Sequence, residues 1–232
     1  HVIDMCVKML NPTVDEYVID TAAGSCGFTV HAIFHVWGDV FTAKGPEKWQ
    51  SDYAASRVYG LDFDPRSVKI ARALNLIAGD GKMNVYRANT LDPRTWSEEV
   101  RVGVKPRLRR FPKDPERDKW NQDHFRYFDF DVLLTNPPFA GDIKDTRIIH
   151  QYDIAKGPKG KWETSIGRDI LFIERNLEFL KPGGRAAIVL PQGRFNNSGD
   201  ERLRRWIAER ARILAVVGLH GNTFKPHTGA KT

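Results

Sequence analysis

Residues 130–139 read Phe130-Asp131-Val132-Leu133-Leu134-Thr135-Asn136-Pro137-Pro138-Phe139. The Val- and Leu-rich part has the composition of a buried strand, and it stops at two prolines that cannot donate to a sheet ladder. A residue that precedes proline is restricted to extended backbone geometry. The sequence therefore predicts a strand at 130–135 that presents Asn136 on a stiff turn at its carboxyl end.

This turn offers two hydrogen-bond acceptors and an aromatic ring. Asn136 has a side-chain carbonyl, Pro137 adds a main-chain carbonyl, and Phe139 supplies a flat apolar surface. Two acceptors beside an aromatic ring suit a planar group that carries an NH2. Because open α/β sheets bind their ligands beyond the carboxyl ends of the strands, we take these three residues as candidate catalytic residues.

The composition is that of a soluble globular protein. The chain has 232 residues, of which 41% are hydrophobic and 28% charged, and this size fits one α/β domain. The net charge of +7 is compatible with a polyanionic partner but does not identify one. Cys6 and Cys26 lack the spacing of metal ligands, so we expect neither a metal site nor a disulfide framework. No apolar run approaches the length of a membrane span. A cytoplasmic location follows.

Strand and helix patterns alternate along the chain. Strands are predicted at 17–20, 57–63, 84–87, 130–135, 185–190 and 213–218. Helices are predicted at 1–10, from about 28, at 64–78, at 168–180 and at 200–210, and 181–184 is interpreted as a turn. This alternation predicts an α/β fold whose mainly parallel sheet is covered by helices on both faces.

One polar segment interrupts the alternation. Residues from about 92 to 129 are basic and dotted with prolines, and we interpret 93–128 as a basic insertion or long surface loop. The basic residues that cluster in it are candidates for phosphate contacts; they are Arg101, Lys105, Arg107, Arg109 and Arg110.

A glycine-containing turn follows the first predicted strand. It reads Asp20-Thr-Ala-Ala-Gly24-Ser-Cys-Gly27-Phe28, and its glycines allow a ligand to approach the backbone at a helix N-terminus. A carboxylate here would repel a pyrophosphate, whereas it would attract an ammonium group. Asp20 therefore argues against a dinucleotide and for a ligand with an ammonium group.

The next two strand ends extend this ligand site. Asp62 ends the second strand and can accept both hydroxyls of a ribose, while Asp64 before Pro65 is the expected helix cap. Asn89, after the third strand, can pair with an adenine edge. A ligand that carries an ammonium group, a ribose and an adenine is S-adenosylmethionine, which we therefore predict as the cofactor. Taken singly, each Asp is equally well a cap or turn residue.

These motifs resemble those of the modification subunits of type I restriction-modification systems, which are adenine-N6 DNA methyltransferases. The resemblance rests on Asp20–Phe28, on Asn136-Pro-Pro-Phe-Ala-Gly-Asp, on Leu180–Pro191 and on Gly221–Thr232, so it spans nearly the whole chain. It implies a Rossmann-like methyltransferase fold and transfer of a methyl group to the N6 amine of a flipped adenine.

The resemblance also implies site residues and partners. The implied cofactor contacts are Asp20, Ala22, Gly24, Gly27, Phe28, Asp62, Asn89 and Asn136, and the implied catalytic residues are Asn136, Pro137 and Phe139. The partners implied are double-stranded DNA, a specificity subunit and a second modification subunit, in a bacterial or archaeal cytoplasm. Whether a restriction subunit also joins stays open at this point.

The chain departs from the family pattern in several places. Thr21 replaces the usual Pro, Cys26 replaces a Gly, and the insertion is longer than expected. The chain begins just after the position of the family's Phe-Thr-Pro-Arg cofactor motif and stops before the last strand and C-terminal helices. We therefore expect residues 1–232 to be a fragment that covers the catalytic domain.

Other functions stay open at this point. A glutamine-N5 protein methyltransferase also presents an amide NH2 to Asn-Pro-Pro, usually with Tyr as the aromatic residue, and an RNA adenine methyltransferase is a second alternative. An inactive methyltransferase-like scaffold that binds DNA or a partner is a third. Phe139 favours DNA, and the joint presence of Asp20, Asp62 and Asn136 argues against a scaffold.

Overall fold

The computed structural model describes residues 2–38, 45–77, 84–157 and 159–224. They divide into two compact units. The first comprises residues 1–136 and 178–188, and the second comprises residues 137–177 and 189–232. The candidate residues that precede Pro137 all belong to the first unit, which contains the main sheet.

The strands of the described residues form one five-stranded parallel sheet and one antiparallel pair. Their bounds are β1 Val18–Asp20, β2 Val58–Asp62, β3 Asn84–Arg87, β4 Phe130–Thr135, β5 Asp142–Ile143, β6 Ile166–Gly167 and β7 Leu180–Ile188. The main sheet has the order β3-β2-β1-β4-β7, and β5 pairs with β6 in the second unit. This confirms the predicted α/β fold with a parallel sheet.

The helices follow the predicted alternation and add several that were not predicted. They are α1 Val2–Leu10, α2 Gly27–Trp37, α3 Lys48–Arg57, α4 Pro65–Ile77, α5 Glu98–Val104, α6 Pro115–His124, α7 Thr146–Ile149, α8 Arg168–Phe179, α9 Gly193–Asn196 and α10 Glu201–Ala208. The predicted last residue of the α4 helix, Ala78, lies outside the described residues. None of the described helices is long and apolar enough to cross a membrane.

Strand β1 lies at the centre of the sheet and aligns its neighbours. Val18 is in register with Val58 of β2 and with Val132 of β4, and all three strands run parallel. The residues of β1 are fully buried, which is why this short strand is uniformly apolar up to Asp20. The carboxyl ends of β2, β1 and β4 therefore meet at one edge of the sheet.

Helices cover both faces of the sheet, as predicted. Val85 of β3 packs in a buried cluster with Val68 and Ala71 of α4. The next residue, Tyr86, points to the opposite face because side chains alternate along a strand, and its ring lies against Gly103 of α5.

The interpretation of residues 92–129 as a long surface loop is wrong, because this segment folds. Ser97 caps α5 and Asp114 caps α6 through bonds to the main-chain N–H groups of Val100 and Arg117. Side chains of the segment join an aromatic core that includes Trp96, Phe125, Phe128, Phe130 and Phe179. The insertion thus covers a face of the sheet.

Most basic residues of the insertion are engaged in contacts within the chain. Arg101 donates to the carbonyl of Pro93 (3.0 Å), Arg109 pairs with Asp129 (2.8 Å), and Arg110 pairs with Asp118 (2.7 Å). Arg107 lies 3.6 Å over the ring of Tyr17, just before β1. These side chains stabilise the folded insertion, and phosphate contact by this cluster stays a prediction.

Two predictions in the last third of the chain are wrong. The predicted turn at 181–184 is part of β7, where a register shift between Phe130 and Val132 of the partner strand accommodates it. Residues 213–218 form no strand, and four large apolar side chains in this segment are exposed: Ile213, Leu214, Val216 and Val217. A strand requires a partner, and local composition does not supply one.

The second unit contains a buried ion-pair network. Arg194 donates to both carboxylate oxygens of the buried Asp169, at 2.7 and 3.0 Å, and it also contacts Asp200. An atom added at Gly167 would lie 2.8 Å from this guanidinium, so the glycine allows the close approach. This network fixes the start of α8 against the segment around α9.

We predict that Gly103→Ala destabilises the chain by about 1 to 3 kcal/mol. A Cβ at this position would lie 2.3 Å from the Tyr86 hydroxyl and ring, and overpacking outweighs the higher helix propensity of alanine. Urea unfolding would measure the change. Val102→Ala, at a neighbouring side chain that is 59% exposed, is the control and should change stability by about 0.5 kcal/mol or less. Stabilisation by Gly103→Ala would show that α5 does not pack on the sheet.

Candidate functional site

The site is built on the carboxyl ends of β1, β2 and β4. Asp20 is the last residue of β1, Asp62 is the last residue of β2, and Asn136 follows the last residue of β4. The sheet order places β1 between the other two strands. The structure therefore brings together three of the side chains that the sequence singled out.

The glycine turn is held by main-chain N–H groups that point at neighbouring strand ends. The N–H of Ala22 donates to Oδ1 of Asp20 (3.0 Å), and the N–H of Gly24 donates to Oδ2 of Asp62 (2.7 Å). Gly24 has a φ of 53°, which glycine adopts without a steric penalty. The turn is thus fixed against β2 before any ligand binds.

Cys26, which stands where the resembled family has Gly, adopts a strained backbone conformation. Cys26 precedes α2 with a φ of 66°, in the left-handed region that side chains disfavour. Its buried sulfur lies in the apolar cluster of Ala23, Val68 and Val85, so packing offsets the strain. Cys26 therefore serves the shape of the turn.

Gly27 and Phe28 begin helix α2 and act mainly through packing. A Cβ on Gly27 would lie 2.7 Å from Cδ1 of Ile3, so α1 packs closely on the turn here and a larger residue would require the Ile3 side chain to move. Phe28 is buried. Contact between either residue and a cofactor stays a prediction.

The carboxyl group of Asp20 is buried, with 1% of its residue surface exposed. Desolvation raises its pKa to about 7, and the nearby carboxylate of Asp62 adds to this, whereas hydrogen bonds from Ala22 and Thr135 oppose the rise. Among the described residues, no cationic side chain forms a salt bridge with Asp20. Such a carboxylate favours a cationic ligand group.

Asp64 has the role predicted for it, and the predicted role of Asp62 toward ribose stays a prediction. Asp64 accepts the main-chain N–H groups of Arg66 and Ser67, and these bonds lower its pKa, which confirms it as the cap of α4. Asp62 holds the glycine turn and also accepts the N–H of Asp64 (2.8 Å). A carboxylate has about four acceptor sites, so Asp62 retains capacity for ribose hydroxyls.

Phe63 is a candidate that the sequence reasoning missed. It follows Asp62 directly, and 68% of it is exposed, which is unusual for so large an apolar residue. An exposed aromatic ring beside a carboxylate that is predicted to bind ribose suits stacking on an adenine ring. The signal in the sequence was an aromatic residue between two aspartates at a strand end.

The segment after β3 is tightly organised. Oδ1 of Asn89 accepts the N–H of Leu91 (3.1 Å), and the main-chain carbonyl of Asn89 accepts the indole N–H of Trp96 (2.8 Å). Asp92 is buried and pairs with Arg94. Asn89 therefore forms a local turn with its side-chain oxygen, and its predicted role toward adenine stays a prediction.

The end of β4 is buried up to the point where the motif begins. Thr135 is fully buried, whereas Asn136 is exposed, Pro137 is buried and Pro138 is exposed. In the second unit, the half-buried ring of Phe139 meets the ring of Phe224 edge to face, with centroids 6.4 Å apart. Phe224 was not predicted, because this pairing joins positions far apart in the sequence.

Helix α2 carries two histidines one turn apart, His31 and His35. Nε2 of His35 lies 2.7 Å from Oδ1 of Asn11 and is used in that bond. Within the part of the chain that the structure describes, no group of three His, Cys, Asp or Glu side chains is placed to hold a metal ion.

One protein-family model matches the whole chain. The model described as "N-6 DNA Methylase" matches residues 1–232. The chain belongs to this family. The family resemblance stated from the motifs is thereby confirmed.

Relatives of this N-6 DNA methylase family member are longer proteins. The methylase subunit of the type I restriction enzyme EcoEI from Escherichia coli is 25% identical over 230 residues, which cover 97% of this chain and 38% of that subunit. The type II restriction enzyme and methyltransferase RM.BcgI from Heyndrickxia coagulans is 21% identical, with 97% of this chain and 28% of that protein covered.

Solved structures share the fold of this family member. One chain from a study of complex assembly in a type I restriction-modification system superposes with a TM-score of 0.70 at 23% identity, and covers 99% of this chain and 39% of its own. The M protein of the type I restriction enzyme EcoKI gives a TM-score of 0.64 at 20% identity, with 99% and 41% covered. The chain thus spans less than half the length of these proteins.

The donor set of this methylase-family site fits S-adenosylmethionine. A buried carboxylate with a raised pKa, Asp20, suits an ammonium group, and Asp62 suits ribose hydroxyls. The exposed ring of Phe63 suits adenine. Asp20 and Asp62 end the adjacent strands β1 and β2, and Phe63 directly follows β2 in the same unit.

We predict that Asp20 makes stability fall as pH rises. Its pKa is higher in the folded chain, at about 7, than the ordinary value near 4, so folding binds its proton more tightly. The stabilisation is complete below about pH 4 and is lost as pH rises through 7, by an amount on the order of 4 kcal/mol.

Asp20→Asn should remove this dependence. Urea unfolding of both forms between pH 4 and 8, without cofactor, would show the variant gaining stability relative to the wild type as pH rises. Parallel pH profiles would contradict a raised pKa at Asp20.

Proposed function

We propose that the full protein transfers a methyl group from S-adenosylmethionine to the N6 amine of adenine in DNA, as the modification subunit of a type I restriction-modification system. The observation that carries this proposal is the meeting of Asp20, Asp62 and Asn136 at the ends of three neighbouring parallel strands. Membership of the N-6 DNA methylase family and similarity to type I methylase subunits support the substrate and the system.

The cofactor would be held by the ends of β1 and β2. Asp20 would bind its ammonium group, Asp62 its ribose hydroxyls, and Phe63 its adenine ring. Gly24, Ala22 and the start of α2 at Gly27 and Phe28 would shape the floor of this site. When bound, S-adenosylmethionine supplies an electrophilic methyl group on a positively charged sulfur.

Asn136 and Pro137 would prepare the nucleophile. The exocyclic amine of adenine is weakly nucleophilic because its lone pair is delocalised into the ring. The side-chain carbonyl of Asn136 and the main-chain carbonyl of Pro137 would accept its two hydrogens and draw the nitrogen toward tetrahedral geometry. The nitrogen held by Asn136 and Pro137 would take the methyl group from the sulfonium, which would leave as a neutral thioether, and the product ammonium would lose a proton to solvent.

Aromatic residues would receive the flipped base. Phe139 is three residues beyond Asn136, and its ring meets Phe224 edge to face. An adenine that leaves the duplex loses its stacking partners, and stacking on Phe139 would restore part of that energy. Much of the rate enhancement would come from holding amine and methyl group in contact.

The partners proposed are those of type I systems. We infer that a specificity subunit selects the DNA sequence, that a second modification subunit joins the assembly and that a restriction subunit binds it. Relatives named as type I methylase subunits support this inference. A glutamine or RNA methyltransferase is less well supported, because the N-6 DNA methylase family model matches the entire chain.

We predict that Asn136→Ala abolishes methyl transfer while cofactor binding persists. The side chain is exposed, so its removal spares the fold and removes one acceptor for the amine. The assay uses the full-length protein with its specificity subunit, labelled S-adenosylmethionine and unmethylated genomic DNA. Label should appear as N6-methyladenine and fall at least about 100-fold in the variant. A wild-type protein that binds the cofactor but leaves DNA unlabelled would overturn the proposal.

We predict that Phe63→Ala weakens S-adenosylmethionine binding about tenfold, since stacking of a base on an aromatic ring contributes roughly 1 to 3 kcal/mol. The ring is exposed, so thermal stability should not change. Calorimetric titration would measure the affinity, with Phe63→Tyr as a control that keeps the ring and should bind within about twofold. Unchanged affinity in Phe63→Ala would exclude this residue from the adenine site.

A further inference from the structure

The side chain of Arg168 lies beside the loop that follows Phe139. Arg168 is the first residue of α8, and its main-chain N–H donates to the carbonyl of Gly141 (3.1 Å). A Cβ built on Gly141 would lie 3.2 Å from Nη2 of Arg168, and the φ of 90° at Gly141 is one that glycine adopts readily. The half-buried guanidinium is therefore packed against the backbone of this loop.

Arg168 differs from most other arginines of the second unit. Six of them bind a carboxylate or a main-chain carbonyl: Arg147, Arg194, Arg202, Arg204, Arg205 and Arg210. The guanidinium of Arg168 makes no hydrogen bond or ion pair with any residue that the structure describes. Arg212 shares this lack of a described partner, but it is exposed. Arg168 is thus a half-buried cation whose N–H donors are available to a ligand.

Two carboxylates that adjoin this contact in the sequence are engaged elsewhere. Asp169 accepts two hydrogen bonds from Arg194, at 2.7 and 3.0 Å, and Asp142 accepts the hydroxyl of Ser165 (3.2 Å). Both are described residues, and neither forms an ion pair with Arg168. A positive charge that has no counter-ion of its own favours an anionic ligand.

The main chain on both sides of Arg168 is fixed. Before it, Gly167 of β6 pairs with Asp142 of β5, and the bond from Arg168 to Gly141 extends this pairing by one residue. After it, the bonds from Arg194 hold the side chain of Asp169. A side chain that starts from a fixed backbone loses less conformational freedom when it binds a ligand.

The sequence limits the distance between this contact and the residue proposed to hold the amine. Gly141 is five residues beyond Asn136. A fully extended chain spans at most about 3.5 Å per residue, so the two backbones are at most roughly 17 Å apart. Along one DNA strand, successive phosphates advance by about 3.4 Å along the helix axis. The guanidinium therefore acts within about five base pairs of the target base.

We propose that Arg168 binds a backbone phosphate of the substrate DNA within about five base pairs of the target adenine, and so positions the strand for methyl transfer. The inference rests on the proposed function. A guanidinium presents its donors in a planar fork that matches two phosphate oxygens. The carboxylate of S-adenosylmethionine is a second anion that a guanidinium can bind. The phosphate is favoured because the cofactor groups are assigned to the ends of β1 and β2, whereas Arg168 packs against the loop after Phe139.

The test uses the full-length protein assembled with its specificity subunit and a DNA duplex that contains the recognised site. S-adenosylhomocysteine replaces the cofactor, so no transfer occurs while binding is measured. Arg168→Ala and Arg168→Lys are compared with Arg212→Ala, which removes the same charge from an exposed arginine that has no described partner. DNA affinity is measured between about 50 and 200 mM salt, where phosphate contacts have their largest effect. Affinity for S-adenosylmethionine and thermal melting are measured in parallel.

Arg168→Ala should weaken DNA binding about tenfold and lower the slope of log affinity against log salt by about 0.9, because one phosphate contact is lost. Arg168→Lys should keep the slope and bind within about threefold of the wild type, since the charge remains and only the fork is lost. Arg212→Ala should leave both properties unchanged. All three variants should bind S-adenosylmethionine as the wild type does.

A second measurement locates the phosphate. Methylphosphonate linkages, each of which removes one backbone charge, are introduced singly over about five base pairs on either side of the target adenine. At least one linkage should weaken binding by the wild type about tenfold and have no further effect on Arg168→Ala. Arg168→Gln, which keeps the packing of the side-chain stem, replaces Arg168→Ala if that variant melts at a lower temperature.

Three results would overturn the inference. The first is an Arg168→Ala protein with the DNA affinity and salt dependence of the wild type. The second is a linkage scan in which no position distinguishes the two proteins. The third is a loss of S-adenosylmethionine affinity with unchanged DNA binding, which would assign Arg168 to the carboxylate of the cofactor. Failure of the proposed function looks different, since the wild-type protein would then transfer no methyl group to DNA.

Discussion

Parallel pairing of β1 with both β2 and β4 is the constraint on which the site depends. The common register of Val18 with Val58 and Val132 fixes where each strand ends, so Asp20, Asp62 and Asn136 must emerge at one edge. The turn after β1 is then locked by the bond from Gly24 to Asp62, across 38 positions of sequence. Ligand chemistry at this edge follows from sheet geometry together with the short segments that leave the strand ends. A rigid strand end places a side chain more accurately than a loop does.

The charges at this edge of the sheet favour the binding of a cation. Two carboxylates lie on neighbouring strands, one of them buried, and their mutual repulsion together with desolvation keeps the Asp20 proton until near-neutral pH. A positively charged ligand relieves both unfavourable contributions at once. The left-handed backbone of Cys26 shows that the same turn accepts local strain to hold its shape. Strain of this kind is common where a backbone must approach a ligand.

Much of this fold could be predicted from the sequence, and the failures have identifiable causes. The strand at 130–135 and the helix after Asp64-Pro65 carry local signals, namely an apolar run that ends at Pro and a cap followed by Pro. The same cap pattern occurs at Asp114-Pro115, but the high charge of the surrounding residues concealed it. Burial of Thr135, pairing of Phe139 with Phe224 and the link between Gly24 and Asp62 depend on contacts distant in sequence. Such contacts cannot be derived from local patterns.

The exposed stretch from Ile213 to Val217 has a consequence for the behaviour of the polypeptide in solution. Its side chains are β-branched or aliphatic, it contains no charge and no proline, and Leu214 alone is 76% exposed. Segments of this composition associate with copies of themselves through backbone pairing and interdigitated side chains. Residues 213–217 therefore limit the solubility of residues 1–232 as an isolated polypeptide. The protein concentration that can be reached depends on whether these side chains are covered by other polypeptide.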